Sequence, residues 1–281
     1  MKLIVKENKE LLEYLIENTD YTKTKLKSLF KYKNISVNNK IPTNLNIILN
    51  KNDIIEISKE KRIVNIGTIP IIYEDKDFLV VNKPSGMLTI STDKEKTRTL
   101  YHKVREYIKD KKSNEKIFIV HRLDRETSGL VLFCKNEKLR DKLQENWENV
   151  AILREYTCVV EGILDKKKAK LVNYLKENKN RMVYVSNSGK EAITNYEVIK
   201  EDINSLLRII IETGRKNQIR VQLANIGHPI IGDSKYGNKG KKLLLCANKL
   251  NIRDPRTGKI LTFEINIPRE YLRNLSNQNT K

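Results

Sequence analysis

IFIVHRLDRETSGLVLFC occupies residues 117–134. Two apolar runs, IFIV and LVLFC, flank a polar loop in which Asp124 stands between Arg122 and Arg125. Short apolar runs bounded by turn residues read as buried strands. A charged loop carried on rigid sheet is the usual place for a working residue. For a bare R-x-D-R the simpler reading is a salt-bridged turn, with Asp124 and Glu126 pairing with the adjacent arginines.

Strand-like runs recur on both sides of this stretch, as IIYE, FLVV, YTCVVEG and LRIIIET. Helical spacing interrupts them near 98–110 and 137–147. Several strands are separated by turns and not by crossover helices. This predicts an α+β fold with a mixed, largely antiparallel sheet over residues 71–281. KEKRIVNIGTIP, residues 59–70, is charged and ends in Gly67 and Pro70, so 61–70 is expected to be a linker.

Residues 1–60 predict a small α/β module. NKELLEYLIE, residues 8–17, places Leu11, Leu12, Leu15 and Ile16 on one helical face. A second helix is expected from about Thr22 to Tyr32. It turns Leu26, Leu29 and Phe30 inward and carries Lys23, Lys25, Lys27, Lys31 and Lys33 elsewhere. NISVNNK and DIIEISKE read as strands. Lysines are good helix formers and usually solvate a face. So many of one sign, with no acid among them, repel one another unless a polyanion relieves them.

The whole chain agrees with that bias. Its 55 Lys and Arg outnumber 35 Asp and Glu, for a net charge of +20. Such an excess favours a polyanionic partner through steering and counterion release. Charge alone does not separate RNA, DNA and an acidic membrane. No stretch approaches the ~20 apolar residues needed to span a bilayer, and no membrane partner is expected. MKLIVKENKE contains acids and no apolar signal core, so secretion is not expected either. Cys134, Cys158 and Cys246 lie far apart in apolar contexts and read as buried thiols of a cytoplasmic protein. His102, His121 and His228 lack metal-ligand spacing. There is no Walker-type loop and no GxGxxG, so neither a metal nor a cofactor is expected.

HRLDRETSGL closely resembles the signature loop of RluA-type RNA pseudouridine synthases, and other motifs follow in that family's order. NKPSGM (82–87) follows FLVV. REYTCVVEG (154–162) resembles the family's K-x-Y segment, and TGRKNQIRVQL (213–223) its arginine motif. GHPIIGDSKYG (227–237) and LCANKLNIRDPRTGK (245–259) also fit. The resemblance covers roughly residues 71–270. Separately, TKTKLKSLFKYKNISVNN resembles the S-four-like RNA-binding domain, with Lys33 and Asn39 where glycine is usual.

The resemblance implies an isomerase that converts uridine within RNA to pseudouridine without metal, redox step or cofactor. The family's catalytic aspartate corresponds to Asp124, as nucleophile or base at the ribose–uracil junction. Its partner arginine corresponds to Arg220, and its active-site tyrosine to Tyr156. Arg122, Arg125 and Arg215 are expected to contact RNA, as are Lys23, Lys25, Lys27 and Lys31. His121 is expected to order the loop, and Gly86, Gly129 and Gly214 to occupy turns. Asn217 and Gln222 stand where the family often has histidine, and Arg154 where it often has lysine.

Ribosomal RNA of the large subunit is the expected target, transfer RNA the second, and the protein is expected to be a monomer. A glycosidic hydrolase is disfavoured because such sites use paired carboxylates, and only Glu126 offers a second acid. A non-catalytic RNA-binding or ribosome-assembly protein is disfavoured by the complete set of Asp124, Tyr156 and Arg220.

Overall fold

The structure, a computed structural model, describes residues 1–31, 34–38, 40–58, 64–110, 116–238 and 242–276. Its contacts divide the chain into Met1–Val64 and Asn65–Lys281.

In the first unit, helices Leu11–Asn18 and Lys23–Lys31 share a core with an antiparallel sheet ordered Lys2–Ile4, Ile54–Ile57, Ile35–Val37. Thr22 starts the second helix by accepting the Lys25 N–H at 3.2 Å. Leu26 and Leu29 are buried as expected, while Lys23, Lys25 and Lys27 are exposed. The first helix rotates slightly from its expected setting. Ile16 is 43% exposed, and Tyr14 is buried with Leu11 and Leu15. The Tyr14 hydroxyl donates to Ile4 O at 3.0 Å, which lets a polar ring enter the core. The side chain of Lys31, and Lys33 and Asn39 altogether, lie outside the described residues.

Of the stretch expected to be a linker, 61–63 lie outside the described residues and the rest is largely strand. Val64–Ile66 and Ile69–Glu74 are extended, with a turn at Gly67 and Thr68 between them. Gly67 and Pro70 masked this: the first occupies the turn and the second lies within strand Ile69–Glu74.

The second unit is built on one mixed sheet. From one edge its strands run Val183–Ser186, Lys168–Glu177, Lys190–Glu201, Ser205–Ile211, Leu153–Val160, Leu245–Arg253, Ser128–Cys134, Phe78–Lys83 and Ile69–Glu74. Neighbours along this path are antiparallel except Ser128–Cys134 beside Leu245–Arg253. The α+β expectation holds. FLVV and LVLFC are buried on both sides because each face has its own helix. Phe78, Val80, Leu130 and Leu132 pack with Leu139 and Leu143 of helix Glu137–Glu145. Leu79, Val81, Val131 and Phe133 pack with Leu100, Val104 and Ile108 of helix Leu100–Asp110. The i, i+4 spacing of those helical residues gives each helix one apolar stripe. Asn136 caps the first by accepting the Leu139 N–H at 3.0 Å.

Gly129 is not in a turn, and Gly214 has no left-handed backbone. Gly129 sits at φ +117° inside the Ser128–Cys134 strand and pairs with Ala247, which pairs in turn with Tyr156. A Cβ there would lie 2.3 Å from Ala247 O. Only glycine lets the two halves of the sheet join, and the join lies beside the Asp124 loop. Gly129→Ala should cost roughly 3 kcal/mol or more from backbone strain and overpacking combined. A melting temperature within 2 °C of the parent would show that the junction yields freely.

Candidate active site

The Asp124 loop is held from below by NKPSGM. Lys83 is fully buried, and its ammonium donates to Pro84 O, Met87 O and Arg125 O at 3.1, 2.8 and 3.0 Å. Burial pushes its pKa down to about 8, against the charges of Glu126 and Asp124. Ser85 Oγ donates to Glu126 O at 2.6 Å, and Thr89 Oγ1 to Leu123 O at 2.6 Å. Gly86, at φ +84°, receives the Arg125 side chain on its carbonyl at 3.0 Å. The carbonyls of Leu123, Arg125 and Glu126 are thus all held, which fixes the backbone on both sides of Asp124.

Asp124 meets the N-terminus of helix Gln218–Asn225. Gln218 anchors that end with all its polar groups. It accepts from Thr213 Oγ1 and Arg215 N, both at 2.9 Å, and donates to Ile193 O at 3.0 Å and Thr194 Oγ1 at 2.9 Å. The preceding Asn217 takes a left-handed conformation, φ +52°, which asparagine tolerates. Its amide is oriented by its neighbours. Nδ2 donates to Asp124 Oδ2 at 2.8 Å, and Oδ1 accepts from Tyr236 Oη at 3.1 Å and Lys235 Nζ at 3.0 Å. The opposite orientation would set oxygen against the carboxylate and gain only a 3.4 Å contact with Arg220 Nη1.

Arg220 directs its fork elsewhere than expected. Nε and Nη2 bind Asp233 Oδ2 and Oδ1 at 2.8 and 2.6 Å, with both side chains buried. It reaches Asp124 through its charge. Asp233 also accepts the N–H groups of Lys235 and Tyr236 at 2.9 and 3.1 Å. Burial opposes its ionisation, but the Arg220 fork outweighs this and holds its carboxyl below the usual range. For Asp124 the balance goes the other way. Burial raises its pKa, and the Arg220 charge, the Asn217 backbone N–H and Lys235 only partly offset the rise.

Tyr156 is aimed by a β-bulge. Glu155 pairs with Lys249 and Tyr156 with Ala247, which leaves Asn248 as the extra residue. Thr157 Oγ1 donates to Asn248 Oδ1 at 2.9 Å, and Asn248 Nδ2 donates to Glu155 Oε1 at 3.0 Å. The half-buried Tyr156 ring touches the apolar layers under both halves of the sheet. Burial pushes its pKa up to about 12, opposed by the Arg154 charge. Arg154 is buried and donates to Glu212 O, and a Cβ on Gly214 would lie only 3.2 Å from its Nη1. His121 stacks on Trp147 at 4.9 Å and accepts the Leu132 N–H on Nε2 at 3.1 Å. Burial and Arg154 lower its pKa to about 4, so it is neutral and orders the loop, as expected.

Asp124, Tyr156, Arg154, Arg215 and Arg220 line one cleft of about 810 Å³. It offers an ionisable carboxylate beside a neutral phenol, a flat ring for a planar base, and arginines for a phosphate backbone. No group of three or more His, Cys, Asp or Glu among the described residues is placed to hold a metal.

A sequence profile of the family described as RNA pseudouridylate synthase matches residues 77–225, which contain Asp124, Tyr156 and Arg220. The uncharacterized RNA pseudouridine synthase YhcT of Bacillus subtilis is 32% identical over 261 residues, covering 88% of this chain and 86% of that protein. The chain belongs to the RNA pseudouridylate synthase family. The ribosomal large subunit pseudouridine synthase C of Rickettsia typhi is 32% identical over 232 residues, 79% of this chain and 74% of that one. The solved structure of human RNA pseudouridylate synthase domain containing 1 shares the fold at a TM-score of 0.61, with 22% identity over 76% of this chain and 88% of its own.

In this RNA pseudouridine synthase, the expected site residues divide by position. Asp124, Tyr156 and Arg220 converge. Arg122 is exposed at the cleft. Arg125 is tied to Gly86 O, and Arg215 to Glu191 O at 2.9 Å and Glu148 at 3.6 Å. Sequence alone assigns no role to Asp233, Lys235 and Tyr236 of GHPIIGDSKYG, which the structure brings to the site. Their signal was an acid, a lysine and a tyrosine within a glycine-bounded loop soon after the arginine motif.

Proposed function

We propose that this cytoplasmic, monomeric synthase isomerises uridines in large-subunit ribosomal RNA, with Asp124 as the reacting carboxylate. The observation that carries the chemistry is the constrained Asp124 carboxylate, held by Asn217 and facing the Arg220 charge, in the cleft that Tyr156 enters. The reaction balances within one nucleotide. The C1′–N1 bond breaks, a C1′–C5 bond forms, C5 loses a proton and N1 gains one. Asp124 supplies an electron pair at the ribose–uracil junction. Tyr156, protonated through the neutral range, stacks on the base and relays a proton. Reaching the base in folded RNA requires flipping it out, at a cost of a few kcal/mol. Arg122, exposed beside the loop, fills the vacated space.

Two features support the ribosomal target. Ribosomal large subunit synthases are among the relatives, and the first unit presents Lys23, Lys25 and Lys27 on one exposed helix, in keeping with an S-four-like RNA-binding domain. Pseudouridine mapping of total RNA from cells with and without the gene tests the target. At least one large-subunit position should lose its pseudouridine completely. Losses confined to transfer RNA would reassign the target, and no loss anywhere would contradict the reading.

A further inference from the structure

The three outer strands, Val183–Ser186, Lys168–Glu177 and Lys190–Glu201, have one face covered and one open. Leu175, Val183 and Ala192 pack with Val221 of helix Gln218–Asn225. Alternation places Val172, Tyr174 and Lys176 on the other side. Tyr184 pairs with Lys176 and so joins them. Tyr174 and Tyr184 are 44% and 45% exposed. As diagonal neighbours their backbone positions stand about 7–8 Å apart, so the two rings share one patch of the face.

Residues 166–191 contain eight basic side chains and two acidic, a stronger bias than that of the whole chain, although Glu191 pairs with Tyr174 and shares its face. Lys167, Lys168 and Lys170 pair with Glu201, Glu197 and Glu212. Lys176, Lys179, Arg181 and Lys190 have no ion pair among the described residues. The tip between the first two strands is also linked to the cleft. Lys235 Nζ donates to Arg181 O at 3.0 Å and to Asn217 Oδ1 at 3.0 Å, and Asn217 donates to Asp124. Tyr236 Oη accepts the Val183 N–H at 3.2 Å.

We propose that this open face holds the unpaired RNA strand flanking the target uridine. Bases stack on Tyr174 and Tyr184, and phosphates meet Lys176 on this face and Lys179 and Arg181 at its tip, whereas Lys190 pairs with Leu175 and lies on the covered side. The inference rests on the proposed RNA-modifying function and adds a location for RNA outside the cleft. A second copy of the chain is a poorer occupant, because a two-fold contact would set the same cations against each other.

Full-length protein titrated into labelled oligouridylate, and into duplex RNA of equal length, tests this by fluorescence anisotropy. The Tyr174→Ala/Tyr184→Ala variant should bind oligouridylate roughly tenfold more weakly or worse. Duplex affinity should change less than about twofold, and the Tyr174→Phe/Tyr184→Phe variant should restore single-strand binding. Lys179→Ala/Arg181→Ala should flatten the salt dependence by roughly 0.7 in log–log slope per lost contact. The Phe and Lys/Arg variants keep the test decisive if the Ala pair folds poorly. Unchanged single-strand affinity, equal losses on both RNAs, or a tyrosine-dependent dimer in light scattering would overturn the proposal. Uridine conversion by the parent is measured in parallel. Its absence refutes the enzyme reading, whereas conversion with unaltered binding by the variants refutes only the platform.

Discussion

Asp124→Asn should yield a folded protein that binds RNA and converts uridine at least about ten thousandfold more slowly, a barrier rise of about 5 kcal/mol or more. The substitution keeps an oxygen for Asn217 and removes the electron pair that the isomerisation needs. Its effect on stability separates this account from a salt-bridged turn. Burial raises the Asp124 pKa above its ordinary value. A carboxyl with a raised folded pKa stabilises the fold below its unfolded pKa, and that contribution is lost as pH rises through the folded value. At neutral pH the parent therefore bears a burial penalty that the variant lacks. The melting temperature of Asp124→Asn should match or exceed the parent's, whereas a structural ion pair would make it fall. The same shift places the acid limb of the parent's kcat/KM profile above the usual aspartate range of about 3.9. An acid limb at or below that range would count against the burial argument.

The largest effect on stability is expected from Arg220→Ala. Arg220 and Asp233 are 5% and 0% exposed and form a two-point fork. Removing one partner of a buried pair leaves the other charged and unmatched, at a cost of about 3–5 kcal/mol. Lysine should not rescue, because it cannot reproduce the fork. Activity should also fall in molecules that remain folded, since Asp124 loses the charge that favours its ionised form, and the acid limb should move up. Asp233 has a depressed pKa, so its stabilisation is present above the ordinary aspartate value and lost as pH falls through the folded value. Thermal melts from pH 7 down to pH 3 should show that loss in the parent and not in Asp233→Asn. An Arg220→Ala protein with parental melting temperature and activity would remove Arg220 from both roles.

The sequence made the central strands legible because FLVV and LVLFC are buried on both faces and read as unbroken apolar runs. The strands Lys168–Glu177 and Lys190–Glu201 are covered on one face only, and their charges mask the alternation. Gly129 looked like a turn residue because nothing local announces the close approach of Ala247 from a strand more than a hundred residues away. The site shows the same limit. Asp124, Tyr156 and Arg220 each lie in a contiguous motif. The fork of Arg220 closes on Asp233 across a loop, and the Asn217 amide is tied to Lys235 and Tyr236 only in three dimensions. Sequence spacing cannot show which carboxylate an arginine chooses.

The most direct test is tritium release from RNA labelled at uridine C5, measured on the same preparations of parent and Asp124→Asn whose folding has been verified by melting. The parent should release tritium in step with pseudouridine formed, and the folded variant should release none above background. Parental rates of release from folded Asp124→Asn would contradict the assignment of Asp124 as the reacting carboxylate.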